Sequence, residues 1–456
     1  YDENGGYAGG YVDILGDKAN AVRLTDMEAN NRHKNWRIFG NAYLEIEPIK
    51  ALVLKSSFGL NYSNGFNSTF VPKWQEGSRK VETNELTVRE DNSLQWVWAN
   101  TINYAKDFGK HSINALIGME AKKENGEHVQ GYGRGLIIED LDYRYLDAVT
   151  DGKDVSNNSS SYAMVSYFGK VNYAYDEKYL VSGTLRRDAS SRFGNGNNSA
   201  IFPSVSAGWR ISRENFMETT SNWLSDLKLR ASWGINGNDM IDNSATYSLY
   251  YVDMNTGSYN FSGDGKTLSP GVIKTMSGNN NLKWEQTEQF NIGIDAAFLD
   301  NRLGVTMDYF KKKTKDMLIQ KPYIAAIGEG GYKWYNAASM DNNGVEATIT
   351  WHDKINDFNY EVAFNVSYYH NEITDLPEEV KYTWGGGDGI SKTIIGQSYG
   401  SWMAYKTDGI FRTKEEVYEY LSKYDVQVGE PGVGRIRYKD LNGDGKINTA
   451  DRDWMG

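Results

Sequence analysis

Hydrophobic and polar residues alternate along most of the chain with a period of two, the pattern of a β-strand that has one apolar and one polar face. Residues 227–233 show it most clearly, with Leu227, Leu229, Ala231 and Trp233 on one face and Lys228, Arg230 and Ser232 on the other. The alternation predicts about twelve strands, near 36–46, 52–60, 94–105, 112–121, 163–174, 178–187, 203–211, 226–234, 287–298, 302–313, 343–352 and 358–370. Most of them reach the roughly 9–11 residues that a tilted membrane strand needs.

Short polar turns and long polar segments alternate between these strands. The long segments lie at 63–92, 122–162, 188–202, 235–286, 314–342 and from 371 onward. One turn, 212–225, is longer than the others and predicts a short helix. Outer-membrane barrels have short periplasmic turns and long extracellular loops, whereas a β-sandwich has no reason to collect its long loops at one end. We therefore predict an all-β, antiparallel transmembrane β-barrel, with a soluble β-sandwich or propeller array as the alternative.

Composition is compatible with this architecture. The chain of 456 residues has only 7 prolines, few enough to leave long ladders of backbone hydrogen bonds intact. No run approaches the roughly 20 apolar residues of a membrane helix, which excludes a helical membrane protein. Aromatic residues make up 13%, with 32 Tyr and 13 Trp, and such residues form the girdles at the two membrane interfaces.

Charge and reactive residues exclude several other functions. A net charge of −11 argues against nucleic acid as a partner, because phosphate contacts need clustered Lys and Arg. The absence of Cys removes disulfides and thiolate metal sites. The 5 histidines show no paired metal spacing and no nucleophile elbow occurs, so nothing supports an enzyme. Because no signal peptide precedes Tyr1, we expect a mature or truncated chain.

Several stretches resemble the SusC/RagA-type TonB-dependent transporters. The most specific is a run of four segments, YFGKVNY at 167–173, KYL at 178–180, LRRDASSRFG at 185–194 and FPSVSAGWRI at 202–211. Further matches keep the family's order, at 227–234, 237–238, 282–285, 291–295, 308–310 and 343–346. The resemblance covers most of residues 20–456.

The resemblance implies a fold and a set of partners. Barrels of this family have about 22 strands around a plug domain, so we expect residues 1–456 to be a partial barrel without the plug, the N-terminal extension and the final strands. It also implies a surface SusD-like lipoprotein, the TonB-ExbB-ExbD complex acting through the absent N-terminal region, and surrounding outer-membrane lipid.

Residues 440–451 (DLNGDGKINTAD) have the spacing of an EF-hand-type calcium loop. Asp440, Asn442 and Asp444 supply oxygens at positions 1, 3 and 5, Lys446 offers its carbonyl, and Asp451 closes the site at position 12. We expect a structural calcium ion here, within an extracellular segment at 436–456. The alternative is a turn in which Asn-Gly-Asp-Gly only supplies positive φ angles.

Four aromatic residues in predicted extracellular loops are candidates for ligand contact. Tyr132 belongs to a glycine-rich stretch at 131–135 that we expect to be a mobile loop. The other three are Trp334, Tyr335 and Trp384, whose flat rings could stack on sugars or peptide side chains. The alternative is that these rings hold loops against one another.

The function that this resemblance implies is TonB-dependent import of a nutrient, either a glycan or oligosaccharide or a peptide, across a Gram-negative outer membrane. A surface adhesin or glycan-binding β-protein that transports nothing is the runner-up. A soluble calcium-dependent hydrolase is a third alternative, and it would require measurable turnover.

Overall fold

The computed structural model describes residues 6–7, 19–29, 31–76, 79–253, 258–263, 265–269, 271–322 and 332–455. The chain divides into two compact units. Unit 1 comprises Tyr1–Tyr104, Leu116–Tyr167 and Ala189–Ser191, and unit 2 comprises Ala105–Ala115, Phe168–Asp188 and Arg192–Gly456.

Unit 1 is an antiparallel sheet with one helix. The helix α1 (Ala21–Glu28) precedes strands β1 (Arg32–Ile49), β2 (Leu52–Val71), β3 (Trp74–Glu76), β4 (Arg79–Val81), β5 (Glu85–Phe108), β6 (His111–Arg134) and β7 (Asp151–Tyr175), of which the last three belong to this unit for most of their length. Strands β1, β2, β5, β6 and β7 are neighbours in that order, and β3 pairs with β4.

The register of unit 1 collects apolar side chains on one face. Ile38 pairs with Tyr62, and Leu60 pairs with Trp96. The residues that alternate with these apolar positions along each strand carry polar side chains on the opposite face, as in the pair of Ser63 with Ser93. Alternation in each strand therefore becomes an apolar and a polar face of the whole sheet.

Unit 2 continues the same design. Its long strands are β8 (Tyr179–Ser190), β9 (Ser199–Arg210), β10 (Leu224–Asn238), β13 (Glu285–Phe298), β14 (Leu303–Pro322), β15 (Tyr332–Ile355) and β16 (Phe358–Asp375). Two short strands, β11 (Leu249–Asp253) and β12 (Gly271–Met276), follow β10 in the sequence and pair with each other. Leu229 pairs with Trp209 of β9 and with Ile294 of β13. Arg230 pairs with Gly208 and Gly293 on the polar face.

The short turns carry residues with positive φ, which a tight hairpin requires. Ala51 between β1 and β2 has a φ of 76°, Asp176 between β7 and β8 has 52°, and Asn356 between β15 and β16 has 54°. The longer turn at 212–225 contains the predicted helix as two 3₁₀ turns, Ile211–Arg213 and Asn215–Thr220.

The segment after β16 folds into small paired elements. They are β17 (Trp402–Tyr405), β18 (Thr407–Ile410), α2 (Lys414–Lys423), β19 (Asp425–Val426), β20 (Ile436–Tyr438), β21 (Lys446–Ile447) and β22 (Arg452–Met455). Strand β17 pairs with β22, β18 with β20, and β19 with β21. Phe411, Tyr420 and Ile447 form a buried core beneath α2.

All twelve predicted strands are present, but the predicted long loops were too long. Residues 63–71 extend β2, and residues 85–92 begin β5. Both faces of these extensions carry polar residues, so pairing continues where alternation, the signal used for prediction, has ended.

Neither helix among the described residues is long and apolar enough to cross a membrane.

Candidate functional site

Trp334 and Tyr335 lie at the start of β15 and hold neighbouring segments of unit 2. The indole Nε1 of Trp334 donates to Asp242 Oδ2 at 3.0 Å, and its backbone carbonyl accepts from Asn279 Nδ2 at 2.7 Å. The ammonium of Lys321 lies 4.3 Å from the centre of the Tyr335 ring. These contacts fit loop anchoring, the alternative to a ligand-stacking role.

Trp384 packs against a small hydrophobic core of unit 2. This core is a buried cluster formed by Ile319, Ala338, Ile373, Leu376, Val380 and Ile394. Its ring centre lies 5.7 Å from that of Tyr399, and the planes are tilted by 39°. The ring is half-buried, which leaves one part of it accessible to a ligand.

Asp388 fixes the loop that follows Trp384. Burial alone would raise the pKa of this carboxyl, but backbone N–H groups of Lys392, Ile390 and Ser391 and the Ser391 hydroxyl donate to it, and they hold the pKa well below its usual range. The carboxylate therefore stays charged and keeps the loop closed on itself.

Tyr132 belongs to unit 1, and the prediction of a mobile loop at 131–135 was wrong for most of that stretch. Strand β6 continues to Arg134. A side chain at Gly131 would collide with Leu146, and one at Gly133 with Val149. The glycines therefore let a neighbouring segment pack closely against the strand.

The predicted calcium loop is a closed turn. Asp440 accepts from the amides of Gly443 at 2.7 Å and Gly445 at 2.9 Å. Asp444 accepts from the Lys446 amide at 2.8 Å, and Asn442 accepts from the Asp444 amide at 3.0 Å. The φ angles of Gly443 and Gly445 are 75° and 77°, which only glycine adopts at little cost.

Asp451 has a separate task in this loop. It is fully buried, and its two carboxylate oxygens accept from the amides of Leu441 and Asn448 at 2.9 Å each. In the part of the chain that the structure describes, no three acidic or histidine side chains are grouped as for a metal ion. Calcium binding at Asp440, Asn442, Asp444, Lys446 and Asp451 therefore stays a prediction.

The polar face of unit 2 carries a charged network that sequence analysis did not single out. Arg230 donates to Asp295 from Nε at 2.8 Å and from an Nη at 2.9 Å, and to Asp308 at 3.0 Å. Lys228 lies 3.7 Å from Asp295. A cavity of about 420 Å³ adjoins Lys228 and Arg230 and is otherwise lined mostly by small residues, including Ser182, Ser206, Gly208 and Gly293. Alternation showed that these charges share a face, but not that they pair.

Comparison with known proteins decides what this sheet is. The sequence model of the family described as TonB dependent receptor-like, beta-barrel matches residues 1–451. The chain belongs to this family. Its members are outer-membrane proteins, so the apolar face of the sheet faces lipid and the polar face lines the interior.

Individual relatives refine this assignment. TonB-dependent receptor P3 of Formosa agariphila is 31% identical over 100% of this chain and 45% of its own length. TonB-dependent receptor SusC of Bacteroides thetaiotaomicron is 30% identical over 88% of this chain and 38% of its own length. The chain thus spans less than half the length of the curated relatives that it matches.

A solved structure agrees. The RagAB peptide importer in its 'open-open' state superimposes with a TM-score of 0.74 and 26% identity over 95% of this chain and 44% of that one. The receptor is therefore of the SusC/RagA type, as the motifs at 167–211 predicted.

Proposed function

We propose that this chain forms part of the wall and the extracellular mouth of a TonB-dependent importer of glycans, oligosaccharides or peptides. The observation that supports this most is the match of the receptor family over residues 1–451. The sheet of each unit has an apolar face and a polar face and so supplies part of a wall, and the ordered loops around Trp334 and Trp384 supply part of the mouth.

The proposed cycle assigns distinct tasks to the partners. A SusD-like surface lipoprotein encloses a ligand at the mouth, and the TonB-ExbB-ExbD complex supplies the energy that opens a path through the interior. The residues of this chain bind and orient the ligand along the polar face. No residue of the chain is assigned to energy transduction.

Uptake by cells tests the proposal against the adhesin alternative. Deletion of the gene should abolish growth on the transported oligosaccharide or peptide as sole carbon source, and deletion of tonB should do the same while surface binding persists. Binding of the ligand that never leads to TonB-dependent accumulation inside the cell would contradict import and favour an adhesin.

A bound calcium ion is a second part of the proposal. Asp440, Asn442 and Asp444 point several oxygen atoms into one tight turn, and hard oxygen ligands suit calcium. The ion would hold the turn that joins β20 to β21 and so stabilise the small core of Phe411, Tyr420 and Ile447.

Isothermal titration of calcium into the full-length protein measures this directly. Wild-type protein should release or absorb heat on binding, Asp444→Ala should lose that signal, and Glu419→Ala on the exposed face of α2 should keep it. Equal heats for wild type and Asp444→Ala would remove calcium from this loop.

A further inference from the structure

A polar cleft crosses the interior face of unit 1, near the ends of the strands that lie opposite the Ala51 turn. It has a volume of about 540 Å³, within the usual range of about 300–1,000 Å³ for small-molecule sites. Its floor and sides include His33, Asn35, Ser63, Asn67, Ser93 and Asn158. We propose that this cleft binds a neutral, hydroxyl-rich ligand of the oligosaccharide class, an inference that rests on the proposed import function and deepens it.

The cleft lies on the same face as the polar residues of the wall. Asn35 pairs with Gly65, and Gly65 pairs with Asp91. These positions alternate with Leu60 and Trp96, the apolar positions of the opposite face. A ligand that passes along the interior of the wall therefore meets this surface.

Neutral donors and acceptors dominate the lining. The amide side chains of Asn35 and Asn158 and the hydroxyl of Ser93 have no protein hydrogen-bond partner among the residues that the structure describes. A primary amide both donates and accepts, and so does a hydroxyl. Such groups match the vicinal hydroxyls of a sugar, each of which also donates and accepts.

Charge on this face is already paired. Arg89 forms contacts of 2.6, 2.8 and 2.9 Å with Asp91, so this acidic side chain in the cleft lining has its own counter-ion. The other two charged lining residues, Lys34 and Glu127, alternate with cleft-facing neighbours and lie toward the opposite face. A peptide with charged termini would find no uncompensated acidic partner here, whereas a neutral sugar needs none.

Two glycines give the cleft its depth. A side chain at Gly65 would meet nothing closer than Asp91 Cβ at 3.9 Å, and one at Gly126 would meet Ser160 Oγ at 3.3 Å. Gly65 can therefore accept a larger residue that fills the cleft. Gly59, on the same strand and face, also has nothing closer than 3.9 Å and does not line the cleft, so it offers a matched control.

The test uses the full-length transporter in detergent on an array of neutral oligosaccharides, sulfated or uronic-acid oligosaccharides and hexapeptides. Wild type should bind neutral oligosaccharides. Gly65→Leu should weaken that binding at least about tenfold, a loss of about 1.4 kcal/mol, and Gly59→Leu should leave it within about twofold. Asn35→Ala with Asn158→Ala should also weaken binding, which covers the case that Gly65→Leu does not fold.

Each other outcome overturns the inference. Charged oligosaccharides or peptides that bind to wild type and are lost in Gly65→Leu would refute the neutral ligand class. Unchanged binding in both cleft variants, or no binding of any neutral oligosaccharide, would refute the site. TonB-dependent uptake measured in the same variants separates failure of the cleft from failure of the proposed function. Uptake that is the same in wild type and in the cleft variants would leave import standing and would remove only the cleft.

Discussion

At the scale of single residues, the close approach of neighbouring side chains determines which residue fits at a position of the wall. Gly293 faces Arg230 across the strands β10 and β13, and a Cβ there would fall on Asp308 Oδ1 and lie 2.8 Å from an Arg230 Nη. The charged network therefore needs a residue without a side chain at this position. The sequence predicted the strand and its polar face, but the partners of Arg230 come from residues far apart along the chain and could not be read from it.

Gly293→Ala tests this close approach. The added methyl should push the guanidinium away from Asp308 and cost about 1–3 kcal/mol, as overpacking usually does. Gly183→Ala is the control, since a Cβ at Gly183 meets nothing within 4 Å. The temperature at which the folded band disappears on a denaturing gel should fall for Gly293→Ala only. Equal temperatures for the two variants would contradict the account.

A buried ion pair outside the wall should make unit 1 sensitive to acid. Glu76 is buried and accepts from Arg23 Nε at 2.6 Å, from Arg79 and from the Asn20 amide at 3.1 Å. The hydrogen bond from Arg23 is the main cause that lowers the pKa of Glu76. Because the pKa of Glu76 in the folded state lies below its ordinary value of about 4.3, the ion pair stabilises the folded state at pH values above about 4.3. That stabilisation is lost as the pH falls through the lowered pKa.

Hydrogen exchange of the α1 amides, corrected for intrinsic rates, measures that loss. Protection should be high near about pH 6 and fall near about pH 3 in wild type. Glu76→Gln should show low protection at both values, and Glu82→Gln, at an exposed position, should behave like wild type. Wild-type protection that does not change between the two pH values would show that Glu76 does not hold α1.

At the scale of elements, periodicity predicted the long strands of the wall and missed the small elements after β16. Each long strand has an apolar and a polar face, so its sequence alternates between hydrophobic and polar residues. Phe411, Tyr420 and Ile447 instead come from a loop, a helix and a two-residue strand, and no period connects them. Alternation therefore does not predict the small elements after β16, and the sequence indicates only a long polar segment there.

The same reasoning places a membrane boundary on β2 and β5. The lipid-facing residues change from Leu60 and Trp96 to Asn64 and Asn92, and Asn64 donates to Asn92 at 2.6 Å. The absence of Cys from this chain allows single-cysteine labelling within it. On intact cells a membrane-impermeant maleimide should label Asn64→Cys and spare Leu60→Cys, about 13 Å further along the strand. Equal labelling of the two positions would contradict the boundary.

At the scale of the whole molecule, the family could be predicted and the ligand could not. The run of motifs from 167 to 211 follows the wall, where pairing and alternation restrict the residues that fit. The candidate binding groups lie on several strands and loops, and His33 and Asn158 meet at one cleft only after the sheet has formed. Trp334, Tyr335 and Trp384 were proposed as ligand contacts from exposure alone, and their structural contacts favour a role in anchoring loops.

The central claim is that this sheet is the wall of a membrane barrel with lipid on one face and an aqueous interior on the other. Strand β9 tests it best, because its small residues tolerate a spin label and its register is defined by the pairs Ser206 with Ser232 and Ala207 with Ala231. In the full-length transporter in liposomes, labels at Val205 and Ala207 should be relaxed mainly by oxygen, which concentrates in lipid. Labels at Ser204 and Ser206 should be relaxed mainly by a water-soluble nickel complex. Equal access of the nickel complex to all four positions would contradict the account.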